Sequence, residues 1–264
     1  MKPVHFTCMI CVDWDLDILP HWIRHYAQYD IATRHVFLHS PSESDENIDK
    51  AMEMLIDAGF SVERVSGDFK CGSMRQRYFQ EFQESLPANE YLMAVDSDEF
   101  CEMKSTDLAG ALGAGYDTVR GRLVDRFDTY LHDALSFGNL GVQYPFVGEI
   151  DKIIEWQHPE LMGIAYANRQ KIIVSRCGHT VNHVGSHAFL NTDHKWNAAP
   201  NTYAINHYSW RESAFLRMIA KHYHQAPFMW HVGKMFKLTD EFLHEVLADS
   251  IVKYEEMCAS KGWS

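Results

Sequence analysis

Apolar and polar residues alternate in blocks through the first hundred positions of this chain, and each block has the length of a strand or a helix. Val4 to Val12 is an almost unbroken apolar run, as expected of a strand covered on both faces. Leu16 to Tyr29 sets Leu16, Leu19, Trp22, Ile23 and Tyr26 at helical spacing, with Pro20 tolerable only in the first turn. Thr33 to Leu38 reads as a second strand. Glu46 to Ala58 reads as a second helix behind the polar turn Ser40-Pro41-Ser42-Glu43-Ser44. Ser61 to Val65 is a third, short strand, and Ser73 to Ser85 a third helix led in by Cys71-Gly72. Tyr91 to Val95 is a fourth strand. Strands and helices alternating over short connections form right-handed βαβ units on a mostly parallel sheet. The loops after Val12, Leu38, Val65 and Val95 then share one sheet edge, where α/β proteins gather their ligands.

Beyond Phe100 the rhythm changes. A short helix at Thr106 to Leu112 and a strand over Tyr116 to Val124 give way to loop-rich stretches crowded with aromatics, His and Gly. Strands are expected again at Lys171 to Ser175 and Tyr203 to Asn206. Two helices, Arg211 to His224 and Asp240 to Cys258 with Thr239 as N-cap, close the chain. No repeat or low-complexity linker divides it. The expectation is one domain over 1–264, with a nucleotide-binding half (1–100) and a less regular acceptor half (101–264).

Composition narrows the classes. A chain of 264 residues with 46% hydrophobic and 13% aromatic content is a folded globule with an ample core. A formal net charge of −12 argues against generic nucleic-acid or anionic-membrane binding. A bound cation would still let so acidic a protein hold a nucleotide. The six cysteines are scattered and fit reduced, buried thiols. Cys8 and Cys11 form a C-x-x-C, but they lie in a strand, where residues three apart face opposite sides. No stretch approaches a membrane span and Met1 to His5 begins no signal peptide, so a cytoplasmic location is expected.

The fourth strand runs into Asp96-Ser97-Asp98-Glu99. Carboxylates at a strand end are costly to desolvate unless something positive sits beside them. Asp-x-Asp there suits a divalent cation held against a diphosphate, because hard cations take carboxylate and phosphate oxygens together. A solvated acidic turn capping the next helix is the other reading. Asp98 is the expected direct ligand, with Asp96 on the metal, a metal-bound water or the ribose. Asp13 or Asp15, at the end of the first strand, could accept hydrogen bonds from base or ribose, and Asp15 is also well placed as a helix N-cap. Arg75 and Arg77 could meet the diphosphate, or one of them lies on a solvated helix face.

An alternating βαβ half ending in D-x-D-E-F resembles the GT-A glycosyltransferases of the family-2-like group. Four further stretches are similar in order and spacing: Leu19-Pro20-His21-Trp22-Ile23 with His25-Tyr26, Gly72 to Arg77, Arg120 to Phe127, and Ile205-Asn206-His207-Tyr208-Ser209-Trp210. The resemblance covers most of Pro3 to Ala220. One departure stands out: Val12-Asp13-Trp14-Asp15 replaces the group's Asn-Glu after the first strand. The resemblance implies a single GT-A, Rossmann-like α/β domain with an irregular acceptor half and C-terminal helices. It implies transfer, with inversion, from a nucleotide-sugar donor to a carbohydrate or glycolipid hydroxyl. Mn²⁺ or Mg²⁺ would bridge the diphosphate and stabilise the departing nucleoside diphosphate. A late histidine would complete the metal set, His207 first and His187 second, imidazole suiting Mn²⁺. His183 and His194 rank below them.

Inversion needs a carboxylate to take the hydroxyl proton, and Asp193 and Glu149 are the candidates. Polysaccharide assembly or a lipid-linked intermediate is the expected setting, any membrane approach being local and through the last helix. Two other classes stay open. One is a catalytically silent nucleotide- or sugar-binding protein on the same fold. The other is a phosphohydrolase with Asp96 as nucleophile and Asp98 as acid, which Glu99-Phe100 disfavours. His179 to His183 lacks the glutamate of a zincin, so a metalloprotease is not supported.

Overall fold

The structure is a computed structural model that describes residues 2–40, 46–67, 71–127, 146–148, 169–183, 186, 189–190 and 196–208. These fall into two compact units, one of 1–123 with 168–207 and the other of 124–167 with 208–264.

The first unit opens with the alternation expected from the sequence: β1 (Val4–Cys11), α1 (Val12–Asp15), α2 (Leu19–Ala27), β2 (Thr33–Ser40), α3 (Glu46–Asp57), β3 (Ser61–Ser66), α4 (Cys71–Ser85) and β4 (Tyr91–Asp96). The four strands lie in the order β3-β2-β1-β4 and all three pairings are parallel. This is the Rossmann-like α/β architecture in which strand order reverses beside β1. All eight residues of β1 are buried, as a parallel strand covered on both faces requires. Pro20 falls in the first turn of α2, where its missing N–H costs nothing. The chain between β1 and that proline makes a separate four-residue helix, so α2 starts three residues later than periodicity alone suggests.

Period-2 alternation sends β1 side chains to two different cores. On one face Phe6 meets Trp22 at 5.5 Å and Tyr26 at 4.9 Å between ring centroids, with Phe60 closing the group. On the other, Met9 packs with Phe37, Val65, Leu92 and Phe79 of α4. Trp22 and Phe6 have essentially no exposure, and cutting either to alanine would cost about 3–5 kcal/mol.

After β4 the chain turns at Ser97-Asp98 into β5 (Glu99–Cys101) and α5 (Ser105–Gly113). Next come β6 (Thr118–Phe127), β7 (Phe146–Gly148), β8 (Gln170–Arg176) and β9 (Ala198–His207). The strand β8 pairs antiparallel with β4 on one side and β6 on the other, and β9 pairs antiparallel with β5. The β6–β8 register shifts between Val119 and Arg120, where Ile173 of β8 is the extra residue. One residue on, Gly121 lies under Ile173 and Ile205, and a Cβ there would stand 2.6 Å from Cδ1 of Ile173. In the second unit, Asp125–Phe127 pairs antiparallel with β7. The two C-terminal helices expected from the sequence lie outside the described residues.

Candidate functional site

The carboxyl ends of β1 to β4 form a crest held by side chains. His39, at the end of β2, pairs through Nε2 with the Gly67 carbonyl at 2.8 Å, so that nitrogen carries the proton. Nδ1 is then an acceptor, and the Cys11 thiol lies 3.3 Å from it. Asp15 is buried, and its Oδ2 accepts from the Cys11 amide at 3.1 Å and the Ser97 hydroxyl at 2.8 Å. Its role is thus to tie the end of β1 to the Asp-x-Asp turn. It does not cap α2, whose N-cap is Ile18 with no side-chain cap bond. The backbone of Asp13 lies in α1, and its side chain is outside the described residues.

Four charged groups meet at the end of β4. Arg75 leaves the second turn of α4 on the same face as Phe79, its guanidinium 5.2 Å from the Phe79 ring centroid. It reaches Asp96 Oδ1 at 2.6 Å. Lys171, from the start of β8, reaches Asp96 Oδ2 at 2.7 Å and also contacts Glu99. Glu99 Oε2 accepts from the Asp96 amide at 3.2 Å. Two cations thus balance two carboxylates. Burial alone would raise the pKa of Asp96, but Arg75 and Lys171 overcome it and hold the group well below the carboxylate range. Glu99 moves the other way, raised by burial and then by the Asp96 charge against the pull of Lys171. Burial works against the Lys171 charge, yet Asp96 and Glu99 more than offset it, so its pKa is raised and it stays an ammonium.

Asp98, between Ser97 and Glu99 in the same turn, also faces His207. Its side chain is only 6% exposed, and Oδ2 lies 3.6 Å from Nε2 of His207, the last residue of β9. The pairing follows from register, since Glu99 and His207 are opposed in the β5–β9 ladder. Asp98 and His207, singled out from sequence, are therefore brought together. Asp96 and Arg75 are brought together as well, but with each other. Arg77 lies two positions along the helix and so points elsewhere: its side chain is 67% exposed and bridges Glu81 at 3.0 Å. Asp193, Glu149, His187 and His194 lie outside the described residues.

Sequence reasoning missed Lys171 altogether. The available signal was its alternation with Ile173 and Ser175, which places a lysine on a buried face and demands an anionic partner. His183 sits elsewhere, docked on α4. Gln83 donates its amide to the His179 and Cys177 carbonyls at 2.6 and 3.3 Å, leaving Oε1 to accept from His183 Nε2 at 3.0 Å. Burial and then the Arg75 charge push the pKa of His183 down to about 3, so the ring is neutral.

Among the described residues no group of three or more His, Cys, Asp or Glu is arranged to hold a metal ion, and no helix is long and apolar enough to cross a membrane. The Asp98–His207 pair is a two-donor set. Two ligands each about 2.1 Å from one ion span a separation near that observed.

No protein-family model and no curated protein matches the chain. Among solved structures it is similar to Staphylococcus aureus TarS 1-349, at 10% identity over 94% of this chain and 70% of that one, with a TM-score of 0.43. It is similar to the same fragment in complex with UDP-GlcNAc, at 11% identity over 48% of this chain, with a TM-score of 0.32. That match spans about a third of the other chain, 34%. Glucosyl-3-phosphoglycerate synthase from Mycobacterium tuberculosis, in complex with Mn²⁺, UDP-glucose and phosphoglyceric acid, is similar at 12% identity over 70% of this chain and 62% of that one, with a TM-score of 0.35.

Proposed function

We propose that the chain is a divalent-cation-dependent glycosyltransferase of the GT-A type, moving a sugar from a nucleotide-sugar donor to a hydroxyl acceptor with inversion. The observation that carries this reading is the Asp98–His207 pair beside a charge-balanced quartet. The carboxylate and imidazole face each other at 3.6 Å where β4 ends, while the first Asp of the motif is engaged by Arg75 and Lys171. A hard cation that keeps one or two protein ligands and takes the rest from phosphate oxygens fits that donor set.

On this reading Asp98 and His207 hold Mn²⁺ or Mg²⁺, which would supply charge stabilisation for the departing diphosphate. Asp96 serves as a fixed anion beside the ribose. The nucleotide lies along the crest, with Asp13 near its base or ribose and Arg75 at the edge nearest the diphosphate. Asp193 or Glu149 takes the proton of the acceptor hydroxyl as its oxygen bonds to the anomeric carbon and the bond to phosphate breaks. The acceptor is proposed to be a carbohydrate or glycolipid.

A thermal-shift screen of nucleoside diphosphates and nucleotide sugars, with and without Mn²⁺, tests the reading. A ligand of the native state raises Tm by mass action. One nucleotide should give a Mn²⁺-dependent shift that Asp98→Ala removes. Absence of a shift with every nucleotide, in folded protein, would sink the proposal. Nucleotide binding without turnover would favour a silent binding protein, and phosphate release from a phosphomonoester would favour the phosphohydrolase.

A further inference from the structure

Lys171 touches residues on both sides of the cation pair's carboxylate along the chain. Its ammonium contacts Asp96, two positions before Asp98, and Glu99, one position after. The side chain is 5% exposed, so the bridge is made out of water. The rest of the turn is pinned too: Arg75 holds Asp96, Asp15 accepts from Ser97, and Glu99 accepts from the Asp96 amide. Glu99 is also the register partner of His207, so fixing Glu99 fixes the height of His207 beside Asp98.

We infer that Lys171 is a positioning residue for the cation site, locking the Asp96–Glu99 turn so that the Asp98 carboxylate and the His207 imidazole converge on one ion. This rests on the reading that Asp98 and His207 hold the cation. An ammonium is a compact point charge with three donors, able to bridge two carboxylates without reaching the ion itself. It acts as an outer-shell group, of the kind whose loss weakens metal binding about 10–100-fold. It also accounts for a lysine inside an acidic site, where its ammonium offsets the charges of Asp96 and Glu99.

The experiment is a Mn²⁺ titration of the full chain followed by electron paramagnetic resonance, with nitrogen coupling to the bound ion measured by pulsed methods. Wild type is compared with Lys171→Met/Glu99→Gln, which removes cation and carboxylate together so that no buried charge is stranded, with Lys171→Arg, and with Asp98→Ala. Circular dichroism checks that each is folded. The double variant should bind Mn²⁺ about 10–100-fold more weakly and lose the imidazole nitrogen coupling at saturation. Lys171→Arg should recover most of the affinity. A double variant within about twofold of wild type, coupling intact, overturns the positioning role while the cation reading stands. Wild type that takes up no Mn²⁺, or Asp98→Ala that binds like wild type, removes that reading and this inference with it.

Discussion

Lys171→Met keeps most of the length and apolar stem of the side chain and deletes its charge. In the folded protein that charge lies 2.7 Å from Asp96 and in contact with Glu99. Arg75 still covers Asp96 in the variant, so the stranded group is Glu99, whose side chain is 3% exposed. Removing one partner of a buried ion pair costs about 3–5 kcal/mol, which lowers Tm by roughly 6–20 °C in a chain of this size. The loss depends on pH. Glu99 already titrates above its ordinary 4.5, driven by burial and then by Asp96, with Lys171 opposing. Without Lys171 its folded pKa climbs further. A carboxyl that holds its proton more tightly when folded loses stability as pH rises through the interval between its unfolded and folded pKa values. The deficit should therefore be smallest at mildly acidic pH and grow toward alkaline pH. Urea unfolding at several pH values reads it directly, and adding Glu99→Gln should return most of the loss. A deficit below about 1 kcal/mol at every pH, the size of a surface pair, or one that shrinks as pH rises, would refute the reasoning.

Three further outcomes follow from the same contacts. Asp96, held below the carboxylate range by Arg75 and Lys171 against the effect of burial, contributes stability present above its ordinary 3.8 and lost as pH falls through its folded value. Asp96→Asn should flatten that acid limb in a Tm-versus-pH series. Gly121→Ala must push Ile173 and Ile205 aside and should cost about 1–3 kcal/mol by chemical denaturation. Arg75→Ala should lower Tm while Arg77→Ala leaves it unchanged, a contrast that differential scanning fluorimetry resolves and that equal effects would contradict.

The parallel half of the fold was legible because its signals are local. A mostly apolar run broken only by His5 and Thr7 makes β1, helical spacing around Pro20 makes α2, and the apolar run before Asp96 makes β4. The strand β5 was not, since three residues carry no period and its partner β9 lies about a hundred positions away. Asp98 could be singled out by its place at a strand end and His207 by the resemblance, but their meeting depends on that β5–β9 register. Asp15 was legible as a useful carboxylate; its bond to Ser97 was not, because the partner is 82 residues distant. Lys171 was overlooked for the same reason: its two partners are 75 and 72 residues away, and only the folded sheet makes a cation there meaningful.

That separation also sets an order of assembly. β8 is the strand that covers the open edge of β4, and it carries the ammonium that Asp96 and Glu99 require. Synthesis proceeds at about 5–20 residues per second, so the 75 residues between Asp96 and Lys171 emerge over roughly 4–15 s. Throughout that interval β4 presents an unpaired, strongly apolar edge, the kind of template on which nascent chains mispair. The arrival of β8 both pairs with Tyr91–Met93 of that edge and brings a cation to the acidic turn, so protection from aggregation and completion of the site are a single event in the life of the nascent chain.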